Sequence, residues 1–188
     1  ASGPLLALLV LPLPSLAADQ PSNLFEDGKP ILDLRYRFEH VDQDNALRDG
    51  RANTLRARVG YQSGKWNGFS GLVEFDAVSH LDGDHFNDTR NGQARYSAIP
   101  DPKGSEVNQA LIRYDAEEGN VVAGRQRINL DNQRFAGGVA WRQNEQTYDA
   151  ALLQFKPLKA LVFTYAYIDQ VNTVFGPDNG PYAAATNP

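Results

Sequence analysis

The side chains with the most chemical potential in this sequence are arginines set among alternating residues. Arg35, Arg37, Arg56, Arg58, Arg113, Arg125 and Arg127 all lie in segments where charged and apolar residues take turns. A guanidinium is a rigid planar fork, suited to carboxylates and to sugar hydroxyls. Two readings stay open. The arginines form a basic ladder that guides anionic or polar solutes. Alternatively they are half of a salt-bridged wall, because Asp33, Glu39, Glu74, Asp76, Asp115 and Asp149 fall on the same inferred face. The segment GRQRINLDNQRFAGGVAWRQNE, residues 124–145, is dense in Arg, Asn, Gln and Asp. Gly137 and Gly138 permit a sharp bend there. Folded inward, it would set Asn129, Asp131, Asn132, Arg134, Arg142 and Asn144 as a constriction; folded outward, it would pack on a rim.

Other chemistries find less support. His80, Asp82, Asp84, His85, Asn87 and Asp88 crowd one stretch. Their spacing does not match a calcium loop, and a solvated loop is expected. The chain has 3 His and no Cys, which argues against structural zinc and excludes disulfides and thiol nucleophiles. Glu74 and Asp76 share a strand face, as a glycosidase's paired carboxylates would, but they are equally ordinary wall charges. Neither a nucleophile elbow nor a phosphate loop is present. No catalytic residue, metal site or cofactor is expected. The net charge of −5 argues against a nucleic-acid partner, which calls for a basic face.

The elements that position these residues have a period of two. In ILDLRYRFEHV, residues 31–41, Leu32, Leu34, Tyr36 and Phe38 oppose Asp33, Arg35, Arg37 and Glu39. Such alternation predicts a strand with one apolar and one charged face. The pattern returns over 53–62 (Leu55, Ala57, Val59 and Tyr61 against Thr54, Arg56, Arg58 and Gln62). It returns again over 68–79, where Leu72 breaks it. It continues more weakly over 106–116, 120–129 and 145–156. A seventh segment, 160–170, is apolar on both parities, so its face stays undecided. These strands run to about ten residues, beyond the usual 5–6 and long enough to cross a bilayer at a tilt. Short turns at 64–67, 117–119 and 157–159 alternate with long connections at 42–52, 80–105 and 130–144. That asymmetry characterises transmembrane barrels.

The predicted fold is therefore all-β, an antiparallel transmembrane β-barrel of which about seven strands are present. An arginine on the lipid face near the midplane costs ~2–4 kcal/mol, so the charged parity must face inward. Asp33, Arg35, Arg37, Glu39, Arg56, Arg58, Glu74, Asp76, Arg113, Arg125 and Arg127 are the expected pore-lining residues. Tyr36, Phe38, Tyr61, Phe69, Phe75, Tyr114 and Tyr148 are expected against lipid or in its interfacial belts. The run LLALLVLPL at 5–13, followed by Ser15, Ala17 and Ala18, reads as a signal peptide over 1–18 with a truncated start. Residues 19–30 read as a loose lead-in, and 31–188 as the N-terminal portion of a larger barrel.

LRYRFEHVDQDN (34–45), TLRARVGYQSGKWNGFSGLVEF (54–75), EVNQALIRY (106–114), GRQRINLDNQRF (124–135) and WRQNEQTYDA (141–150) resemble the alginate-export type of outer-membrane porin. The resemblance implies a single-chain barrel in the Gram-negative outer membrane. It also implies passive passage of polar or anionic solutes, acidic saccharides among them, with outer-membrane lipid as the surrounding partner. Two alternatives are a secreted soluble β-sandwich that binds carbohydrate and an outer-membrane barrel enzyme. Detergent requirement and heat-modifiable gel mobility separate the sandwich from the other two.

Overall fold

The computed structural model describes residues 23–134, 136–158 and 160–176. The expected leader and most of the lead-in lie outside the described residues. Seven strands follow a short helix, α1 (Asn23–Glu26): β1 (Lys29–Val41), β2 (Gly50–Gln62), β3 (Phe69–His80), β4 (Gly104–Ala116), β5 (Gly119–Gln126), β6 (Thr147–Leu158) and β7 (Leu161–Asn172). They form one antiparallel sheet in chain order, β1 to β7, an up-and-down meander that is not closed. Among the described residues no helix is long and apolar enough to cross a membrane.

The sheet is inside-out relative to a soluble one. Leu32, Leu34, Tyr36 and Phe38 are 74, 65, 59 and 56% exposed. On the opposite parity of the next strands, Thr54, Arg56, Arg58, Ser70, Glu74 and Asp76 are buried. Burying polar groups demands partners, and the inner face supplies them, as described below. Here the inner face is the one covered by the chain segment 127–146. Leu72, the residue that broke the sequence pattern, has the parity of Ser70 and Glu74 and so lies on that inner face. Register also decides β7. Leu153 pairs with Tyr165 and Ala151 with Tyr167, so Phe163, Tyr165 and Tyr167 share the exposed outer face.

Strand ends differ from the sequence expectation where side chains intervene. β5 stops at Gln126 rather than 129, because the Arg127 N–H leaves the ladder to bond Gln109 Oε1 at 3.2 Å. Ile128 then drops into a cluster with Ala136, Tyr148 and Ala150. The lead-in is not loose throughout. The Tyr61 hydroxyl donates to the Phe25 carbonyl at 2.8 Å, and Gly64 N–H to the Leu24 carbonyl at 2.9 Å, fixing α1 at the short-turn end.

The connection 81–103 is packed rather than solvated. Phe86 and Ile99 are fully buried against Ala52, with Val41 alongside. Its acids turn inward to partners. Asp88 Oδ1 accepts the N–H groups of Arg90 and Asn91, and Asp82 accepts from Asn53. His80 Nδ1 lies 2.6 Å from Asp84, and its Nε2 lies 3.0 Å from the Asp101 carbonyl. The His80 hydrogen bond, opposed by burial and aided by Lys103, holds the Asp84 carboxyl below its ordinary range.

Candidate functional site

The segment 127–146 leaves the top of β5, crosses the inner face as far as β1, and returns to β6. Gly137 and Gly138 sit in one of its buried stretches. The Gly137 N–H donates to the Tyr148 hydroxyl, which donates in turn to the Gly137 carbonyl, each at 3.1 Å. Gln146 Nε2 donates to the same hydroxyl at 2.7 Å. Tyr148 was expected against lipid. It is instead 4% exposed and stands on the inner face beneath the segment. The register that pairs Val122 with Leu152 gives the even positions of β6 to the interior.

Two knots fasten the segment. The first centres on Glu145. Its Oε1 accepts from Arg58 Nη2 at 2.6 Å, Asn108 Nδ2 at 2.7 Å, and Arg127 Nε and Nη2 at 2.7 and 2.5 Å. Arg58 also grips Asp76 through two 2.7 Å bonds, and Arg127 reaches Glu74 at 2.8 Å. A β-bulge makes this possible. Glu74 pairs with Gln109 and Phe75 with Val107, so Asn108 is the extra residue. A bulge re-aims side chains; here both Asn108 and Gln109 are buried and donate to Glu74 Oε2, at 3.1 and 2.8 Å. Burial pushes the Glu145 carboxyl up, but the hydrogen bond and charge of Arg127 and the charge of Arg58 outweigh it, so the group titrates below its ordinary value.

The second knot joins four pieces of chain: β1, β2, the 81–103 connection and the crossing segment. Gln143, fully buried, donates its N–H to Asp101 Oδ1 at 2.9 Å and its Nε2 to Thr54 Oγ1 at 2.7 Å. Its Oε1 accepts from Arg35 Nε at 2.9 Å. Arg35 continues to the carbonyls of Ala140 and Arg142, and Arg37 to that of Trp141. Arg142 pairs with Glu39 at 3.1 Å and lies 3.6 Å from the Asp101 carboxylate. The guanidiniums of Arg142 and Arg37 stand 4.1 and 5.5 Å from the Trp141 ring centre. Burial pushes the Asp101 carboxyl above its ordinary range, against the pull of Gln143, Arg142 and Arg37.

Most of the residues singled out in the sequence meet here. Arg35, Arg37, Glu39, Arg58, Glu74, Asp76 and Arg127 join one knot or the other. Asp33 and Arg56 pair with each other on β1 and β2, and Arg113 pairs with Asp115 at 2.7 Å nearer the short turns. Arg125 departs from this face. Register sets it between Ala110 and Asp149, in the row of Val73 and out of step with inward Val122 and Gln126. It and Asp149 pair with one another at 2.7 and 2.9 Å on the outer parity. Of the expected constriction residues, Arg142 and Asn144 are buried within the segment, whereas Asn129, Asp131, Asn132 and Arg134 are exposed on its outgoing arm. Sequence reasoning passed over Asp101, Asn108, Gln109, Gln143 and Glu145. Gln143 and Glu145 lay in the quoted run, but no local spacing announces contacts to β1 and β2 over 87 to 108 residues.

An exposed apolar face, a polar inner face and a segment crossing it are the parts of a barrel wall around an occupied interior. No family model matches the chain, and no curated protein does. Among solved structures the chain is similar to OccK9 (OpdG) of Pseudomonas aeruginosa, an outer-membrane porin, with a TM-score of 0.54 at 13% sequence identity. The fold is porin-like. The match covers 80% of this chain and 40% of that one, so the matched part spans about two fifths of the porin's length.

Proposed function

We propose that this chain is part of the wall of a passive outer-membrane channel for polar solutes, with 127–146 as the segment that narrows the lumen. The observation that carries the reading is the division of the sheet. Its outer face offers Leu32, Leu34, Tyr36 and Phe38 to the surroundings, while its inner face holds paired charges under a tethered segment. A hydrocarbon environment demands that arrangement and water does not. The corresponding location is the Gram-negative outer membrane, with lipid on the apolar face. No catalytic step is part of the proposal.

The finer reading extends the solutes to anions and acidic saccharides. Its support is the arginine ladder and the resemblance of 124–135 and 141–150 to alginate-export porins. Against the ladder stands its pairing: Arg37, Arg56, Arg58, Arg113 and Arg127 each contact a carboxylate of the same wall.

Planar-bilayer recording of the full-length gene product under a salt gradient tests both levels. Stable unitary conductance is expected. An anion-leaning reversal potential with block by a uronic-acid oligomer supports the finer reading. Open channels without either effect reduce the ladder to wall structure. A folded protein that forms no channel refutes the proposal.

A further inference from the structure

Below the Glu145 knot, toward the short turns, the inner wall changes character. Leu72 pairs directly with Leu111 and, one row nearer the short turns, Val122 with Leu152, giving four aliphatic side chains that line one hollow of the inner face. They floor a cavity of about 280 Å³, near the lower end of the ~300–1,000 Å³ typical of small-molecule sites. At its edge Asn120 pairs with Gln154, and Asn120 Nδ2 donates to Gln154 Oε1 at 3.3 Å. Asn120 Oδ1 is buried with no hydrogen-bond partner, although a buried polar atom ordinarily has one. The two guanidiniums in reach are already paired, Arg113 with Asp115, which Lys65 also contacts, and Arg127 with Glu74 and Glu145.

Aliphatic floor, amide rim and compensated charge together define a ligand chemistry. An anion would meet only cations already paired to carboxylates of the wall and would compete with those carboxylates while losing its hydration. A purely apolar molecule would leave Asn120 Oδ1 unsatisfied. A sugar ring has an apolar C–H face and a hydroxyl edge, and an amide both donates to and accepts from hydroxyls. We propose that this cavity is a subsite for an uncharged, polyhydroxylated solute of about one sugar ring, seated on Leu72, Leu111, Val122 and Leu152 and bonded at its edge by Asn120 and Gln154. The proposal rests on the channel reading and adds a solute class to it. It also gives Leu72, the residue that broke the strand pattern, a role: an inward leucine supplies the floor.

The test is block of ion current through the full-length protein in a planar bilayer by maltose, with glucuronate in parallel. Maltose is expected to lower the open current saturably and more strongly than glucuronate. Block is expected to set in faster from the short-turn side, because segment 127–146 stands between the cavity and the other side. Asn120→Leu with Gln154→Leu should raise the half-blocking concentration about tenfold, the worth of one or two hydrogen bonds. Leu72→Ala with Leu111→Ala should weaken block similarly; each effect is scaled to the variant's own open current. Open channels that maltose does not block, block that both double variants leave unchanged, or stronger block by glucuronate would each overturn the subsite. Failure to form channels at all would refute the channel reading instead.

Discussion

Replacing Glu145 by glutamine keeps the shape of the side chain and removes the charge on which two guanidiniums converge. Arg58 keeps its two bonds to Asp76, and Arg127 keeps Glu74, so the sheet itself should survive. The crossing segment loses one of its two anchors, the Gln143 knot remaining. Charge-assisted hydrogen bonds are worth about 1.5–3 kcal/mol each, and breaking a buried ion pair costs about 3–5 kcal/mol. Arg127 retains partial solvent access, its side chain being 29% exposed, which places the net loss near the bottom of that range, about 3 kcal/mol. That converts to roughly a hundredfold shift toward the detached segment, at about 1.4 kcal/mol per decade. In single-channel recordings of the full-length protein, the wild type is expected to hold a steady level. Glu145→Gln is expected to flicker to a higher-conducting level. Heat-modifiable mobility should be unchanged, because no ladder hydrogen bond involves Glu145. Equal noise and equal conductance in variant and wild type would refute the assignment of 127–146 as a tethered constriction.

Three further outcomes follow from the same geometry. The Glu145 carboxyl titrates below its ordinary value, so its stabilisation is fully present above the ordinary glutamate range and is lost as pH falls through the lowered value; acid is expected to induce flicker in wild type only below that ordinary range, and to add none to Glu145→Gln, which flickers already. Leu34→Arg places a charge on the outer face, 65% exposed in the sheet, and should destabilise the lipid-inserted barrel by ~2–4 kcal/mol in urea titrations from vesicles. An Arg56→Leu change on the inner face leaves the insertion itself unimpaired, and equal costs for the two would contradict the face assignment. Tyr148→Phe removes the hydroxyl that both accepts from and donates to Gly137, costing about 1–2 kcal/mol. Faster amide exchange at Gly137 with unchanged exchange in β6 is the signature to look for.

Local pattern carried the architecture because a strand's period is written in adjacent residues. The alternation in 31–41 and 53–62 fixed both the strands and which parity had to avoid hydrocarbon, since turning β1 over would expose Asp33, Arg35, Arg37 and Glu39 together. The short and long connections were legible for the same reason: turn residues punctuate the run. What sequence could not decide were matters of register and of distant contact. The bulge at Asn108 inverts the parity of β4 from that point on, so that Glu106 before it and Gln109 and Leu111 after it share the inner face, and it is set by fit against β3. Tyr148 and Arg125 exchange their expected faces because β5 and β6 pair with Val122 opposite Leu152 and Arg125 opposite Asp149.

The choice between a basic ladder and a salt-bridged wall also waited for three dimensions. Composition could count Arg against Asp and Glu, but only the crossing of 127–146 shows that Arg35, Arg37, Arg58 and Arg127 are engaged by that segment. Its contacts close over roughly a hundred residues of chain, and no local periodicity encodes a partner that far away. The sequence alone determined a β-chain with a polar and an apolar face; the tertiary structure decided what the polar face holds, because a buried charge is fixed by the partner that reaches it.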